Sequence, residues 1–184
     1  PGLAFKAIGG RHFSLMVFGF SQVMMDLEPL MRMILGASVL HGVTHTYLGA
    51  TAVGLASVLI GKPFCQWLLD RVRPDPSLGM LVWLRGSGRI TWTAATIGAF
   101  FGTYSHIALD SVMHADMQPL APLNNDNAPL HIVSIEAVHA GCIAAGVIAA
   151  VALAAAYLAA RRKSLNLDEQ AKSSQAQHPV RVLK

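Results

Sequence analysis

In the stretch "GTYSHIALDSVMH", His106, Asp110 and His114 follow one another at intervals of four residues. On an α-helix each such step drifts by only about 40°, so the three side chains leave from nearly one face. Three other short stretches carry residues of the same kind. "MMDLEP" holds Asp26 and Glu28, "HGVTH" holds His41 and His45, and "EAVH" holds Glu136 and His139. Pairs three or four residues apart on a helix present two ligands to a single ion, as HExxH and ExxH helices do. Several such pairs from different helices make a mononuclear or dinuclear centre of mixed nitrogen and oxygen ligands, which suits zinc and is also accepted by manganese and iron. Each pair alone has a plainer explanation. HxxxD at a helix end can be one hydrogen-bonded contact between helices, and Glu136 with His139 can cap a helix start. His12, His131 and His178 have no partner by spacing, and Cys65 and Cys142 are too far apart in sequence to form a thiolate motif or a disulfide framework.

The elements that carry these residues are apolar. Of 184 residues 53% are hydrophobic and only 13% charged, and the mean hydropathy is +0.47. Such a chain reads as an all-α polytopic membrane protein of a single domain. The strongest span is Ala140 to Ala160, uncharged and followed by Arg161, Arg162 and Lys163. Others run from about Ile90 to Asp110 and from about Val39 to Ile60. The weakest, Phe13 to Met25, reaches full width only by recruiting its flanks. The expected architecture is a four-helix transmembrane bundle with a short interfacial helix in "KPFCQWLLDRVRPDP", ended by Pro74 and Pro76. The alternative is three spans and a re-entrant or interfacial first helix. Residues 1–163 form the membrane domain, and polar residues 164–184 read as a disordered cytoplasmic tail. The N-terminus lacks the order of a cleavable signal peptide.

Charge distribution gives the orientation. With the N-terminus in the cytoplasm and four crossings, every Lys and Arg except Arg32 falls on the inner side, so both termini are cytoplasmic. The same crossings collect Asp26, Glu28, Asp110, Asp116, Asp126 and Glu136, with His41, His45, His106, His114, His131 and His139, at the outer side. The net charge of +4 therefore follows membrane orientation rather than nucleic-acid binding, and the basic tail faces solvent or anionic lipid.

The arrangement "DLEP", "HGVTHT", "SHIALDSVMH" and "PLAP", over about residues 12 to 125, resembles the YdjM-type inner-membrane proteins, described as membrane-bound metal-dependent hydrolases. By position Asp26 and Glu28 fall on the family's first motif, His41 and His45 on its second, and His106 and Asp110 on its third. The sequence departs from the pattern at Met25, Glu28, Gly42 and Thr46. The resemblance implies a bacterial inner-membrane location and a divalent metal, zinc first. The expected ligands are His41, His45, His106 and Asp110, with Asp26 as ligand or base. Glu28 or Glu136 would serve as general base, His114 as outer or second-metal ligand, and His139 as a further ligand. A site at headgroup level points to a lipid or lipid-linked ester or phosphoester substrate. The other reading is a non-catalytic accessory or scaffolding subunit of a membrane complex, held together by a structural metal or a polar cluster.

Overall fold

The computed structural model describes residues 2–72, 79–85 and 88–177, with the backbone alone for residues 168 and 171–177. The described residues are helical, with no strand. The helices are α1 (Gly2–Gly9), α2 (Leu15–Ile34), α3 (Tyr47–Ala56), α4 (Lys62–Arg71), α5 (Gly79–Arg85), α6 (Trp92–Met113) and α7 (Ile135–Gln177). Hydroxyl caps begin three of them. Ser14, Thr46 and Thr91 accept from the backbone N–H of Val17, Gly49 and Ala94, satisfying donors that have no partner within the helix.

The centre is α6 packed against α2 on one side and α3 on the other. One face of α6 is small: Ala95, Gly98, Ala99 and Gly102 are buried, which lets the backbones of α2 and α6 approach. A methyl group on Gly102 would collide with the Ser21 hydroxyl and crowd the Phe18 carbonyl. The pairing advances in one direction: Ser14 N–H donates to the Ala94 carbonyl, Gln22 to the Gly102 carbonyl, and Asp26 faces His106. α2 and α6 are therefore parallel. Contacts of α3 run the other way, with Tyr47 against Tyr104 and Gly54 against Phe100, so α3 is antiparallel to α6. Two apolar clusters fill the seams. Val17, Cys65, Ala95 and Ala99 form one, and Met25, Ala50, Ile107 and Met117 form the other, near the His-bearing end.

The interfacial helix expected after Ile60 is present as α4, but it is not a separate element. A π-helical turn at Ser57–Gly61 joins α3 to α4 without a break, giving one helix from Tyr47 to Arg71. The prolines expected to end it, Pro74 and Pro76, lie outside the described residues. Among the described residues, two helices are long and apolar enough to cross a membrane: Tyr47–Arg71 and Ile135–Leu167. Four were expected. α2 and α6, with 20 and 22 residues, each reach about 30 Å, but they fall short in composition. The polar groups of the site lower their hydropathy: Gln22, Asp26, Glu28 and Arg32 on α2, and Ser105, His106 and Asp110 on α6.

α7 continues past the apolar run to Gln177, through much of the stretch that the sequence reads as a disordered tail. Its residues there include Leu, Glu, Gln, Ala and Lys, good helix formers that extend a helix already nucleated. Residues 178–184 lie outside the described residues. α7 packs mainly on α1 and leaves Ile143, Val147, Ile148 and Val151 exposed.

Candidate metal centre

The parallel arrangement of α2 and α6 brings their C-terminal halves to the same end as the start of α3. Three segments meet there: Gln22 to Arg32 on α2, the connection from Leu35 to Thr46, and His106 to Asp116 at the end of α6. A 3-10 turn at Val43–His45 closes the connection. Its attachment is Glu28. The Glu28 carboxylate accepts from the Val43 and Thr44 backbone N–H groups at 3.2 and 2.8 Å, from the Thr44 hydroxyl, and from Arg32 at 2.9 Å. Gly42 has no side chain because Glu28 and Arg32 occupy the space where one would stand.

The turn delivers His45 into the interior, where its side chain is wholly buried. Burial, reinforced by the neighbouring His106 and His41, pushes the His45 imidazole down to about 4. It is therefore neutral near pH 7 and keeps a lone pair. His45 Nε2 lies 3.7 Å from Asp110 Oδ2. His106 Nε2 lies 3.0 Å from the same oxygen and 3.3 Å from Asp26 Oδ1. The rings of His41 and His45 are 4.9 Å apart and those of His45 and His106 5.3 Å. Ligating atoms of Asp26, His45 and His106 fall within 4.8 Å of one another, as do those of His41, His45 and Asp110. The structure thus brings together Asp26, His41, His45, His106 and Asp110.

Each imidazole of this set uses its Nδ1 on a neighbour. His41 Nδ1 is 2.8 Å from Asp116 Oδ1, His45 Nδ1 is 3.1 Å from the Thr44 hydroxyl, and His106 Nδ1 is 2.8 Å from Gln22 Oε1. The Nε2 atoms of His45 and His106 are buried and neither has a well-aligned hydrogen-bond partner, that of His106 facing the Asp110 carboxylate. A buried polar atom without a well-made hydrogen bond costs about 1–3 kcal/mol, and two such nitrogens beside carboxylates are placed where they could share a metal ion. The donor set fits a divalent ion of the zinc class.

Asp116 was not among the residues marked by spacing. Its Oδ2 accepts from the backbone N–H groups of Leu40 and His41 at 2.9 and 3.1 Å. Burial opposes its ionisation, but the donors from His41 and Leu40 outweigh it and draw the carboxyl down to about 2. His114, exposed at the rim, has its ring tilted against that of His41 at 4.5 Å and groups with His41 and Asp116. Asn127 secures this rim by donating to the carbonyls of Ser111 and His114.

Other expected members are placed differently. Glu28 lies beside the cluster, but both its oxygens are engaged by the turn and Arg32. Glu136 and His139 are exposed at the start of α7, and neither belongs to any group of converging ligands. His139 Nδ1 bonds the Ile135 carbonyl of its own helix. Spacing missed Gln22, Thr44 and Asp116. The available signals were weak: Gln22 precedes Asp26 by four, Thr44 directly precedes His45, and Asp116 follows His114 by two.

The sequence model of the YdjM inner membrane protein family matches residues 17–166, a stretch that includes all these residues. No curated protein and no solved structure matches the chain.

Proposed function

This chain belongs to the YdjM inner membrane protein family, and on that premise we propose that it is a membrane-bound metal-dependent hydrolase of lipid esters or phosphoesters. The observation that supports the reading is the convergence of the buried Nε2 atoms of His45 and His106 on one oxygen of Asp110. His41, His45, His106 and Asp110 would hold the ion, with Asp26 at its open side. A divalent ion bound there supplies Lewis-acid polarisation of a phosphoryl or acyl oxygen and brings the acidity of water toward neutral. The side chain of Asp26 is 64% exposed and 3.3 Å from His106 Nε2. It stands where a carboxylate can take the proton of an attacking water, and it replaces Glu28 and Glu136 as the general base. Glu28 and Thr44 keep the His45 turn in place, and Asp116 fixes His41. The expected test is chelation: stripping the purified protein with a strong chelator abolishes hydrolysis of a dispersed phospholipid or ester, and zinc restores it. Hydrolysis unaffected by chelation would exclude the reading.

The location proposed for the site is the outer face of the inner membrane, with four crossings. Parallel α2 and α6, with the Tyr47–Arg71 helix antiparallel to both, is the arrangement that alternating crossings require. Lys62 lies 4.2 Å from the Trp92 ring and Arg71 4.2 Å from the Trp67 ring. Such cation–aromatic pairs at the end away from the site suit the cytoplasmic headgroup level. Reporter fusions after residues 75 and 163 are expected in the cytoplasm and one after residue 120 on the far side. A far-side signal from either of the first two would overturn this topology.

A further inference from the structure

A histidine binds an ion through the nitrogen that carries no proton, so the proton on the other nitrogen has to be placed. For His106 the residue that places it is Gln22. Gln22 Oε1 lies 2.8 Å from His106 Nδ1, and Gln22 Nε2 donates to the Gly102 carbonyl at 2.7 Å. The second contact fixes the first. A carbonyl oxygen only accepts, so the amide turns its nitrogen toward Gly102 and leaves its oxygen facing His106. An amide oxygen also only accepts, so Nδ1 of His106 is the protonated nitrogen. With an ion bound, Nε2 is then the nitrogen whose lone pair is free for it, on the side of Asp110 and Asp26. Gly102 permits this reach because a side chain there would separate α2 from α6.

The geometry points to Gln22 as a positioning residue of the metal centre, one that locks His106 in the tautomer whose Nε2 binds; this rests on the metal reading above. The same logic recurs at the other two imidazoles. The Asp116 carboxylate only accepts from His41 Nδ1. The Thr44 hydroxyl gives its proton to Glu28, so its oxygen accepts from His45 Nδ1. Three elements therefore set three histidines the same way. Gln22 is the one whose neutral amide must itself be oriented by a backbone carbonyl.

The test uses the full chain in detergent micelles. In metal-free protein, nitrogen-15 NMR is expected to show His106 protonated at Nδ1, and Gln22→Met is expected to shift it toward the other tautomer. Loss of such an outer partner lowers metal affinity by about 10–100-fold, read as zinc affinity by competition with a chromophoric chelator. Gln22→Glu retains an acceptor and is expected to restore most of that affinity. Ser21→Ala alters the same helix contact and should change neither readout. Should Gln22→Met fail to fold, Gln22→Ala, which inserts no apolar group, makes the same comparison. An unchanged His106 tautomer and unchanged zinc affinity in a folded Gln22 variant would overturn the inference. A wild-type protein that takes up no zinc would instead sink the metal reading, and the NMR measurement, which needs no ion, would still decide whether Gln22 sets the proton.

Discussion

Replacing His106 with alanine is expected to lower metal affinity by at least about 100-fold, beyond the usual cost of losing an outer partner. The loss is large because His106 faces two carboxylates and one anchor at once: Asp110, Asp26 and Gln22. Removing the ring takes away one nitrogen ligand. It also brings Asp26 and Asp110 closer to an unscreened repulsion and leaves the Gln22 oxygen without its donor. Glu136→Ala and His139→Ala are the matched comparisons. Both residues have the right spacing in sequence, yet both are exposed on α7 away from the converging groups. Metal content measured after dialysis against a buffered chelator should fall in His106→Ala and stay at the wild-type level in the other two. Full occupancy in His106→Ala would require the centre to be drawn elsewhere.

The second large effect is on rate. Asp26→Asn keeps the size of the side chain and removes the base, so the turnover number is expected to drop by about 10²–10⁴-fold. Metal content should largely persist, because His41, His45, His106 and Asp110 remain. Glu28→Gln should behave in the opposite manner. Its carboxylate already accepts from Val43, Thr44 and Arg32, so it cannot take a proton from water without releasing the turn that carries His45. Thermal stability and metal affinity should fall together in Glu28→Gln, with no separate loss in the rate of the metal-loaded fraction. Wild-type turnover in Asp26→Asn would remove Asp26 as the base. Comparing kcat at saturating metal separates the two variants.

The helices and most of the cluster were legible because their signals are local. His106 and Asp110 share a helix face that continues from Ala95, Ala99 and Gly102, so one periodicity marks both the packing seam and the candidate ligands. His41 and His45 were marked by spacing, although the pair sits in a connection and a 3-10 turn rather than on a helix. Spacing alone could not assign roles to Glu28 and Glu136, because an acid near a motif serves equally well as anchor, cap or base. The choice depends on which donors the fold brings to its oxygens. Gln22 and Thr44 were invisible for the same reason, and Asp116 was marked by its side of the membrane but not by spacing: each acts on a residue in another segment or through a backbone carbonyl, and no pattern along the chain records that. Four spans were expected, and two helices among the described residues have the length and composition to cross a membrane. The polar residues that face the site on α2 and α6 make those helices less apolar than Tyr47–Arg71 and Ile135–Leu167. The stretch after Ser164 lacks an apolar period, yet its residues favour the helix that α7 has already begun.

The central claim is that three imidazoles and a carboxylate at one end of this bundle hold a divalent ion. The most direct measurement is elemental analysis of the full chain, purified without chelators and then equilibrated with zinc. The account predicts about one tightly held equivalent per chain, bound with release of protons because each ligand must be unprotonated to bind. A purified protein that carries no divalent metal and takes up none on titration would contradict it.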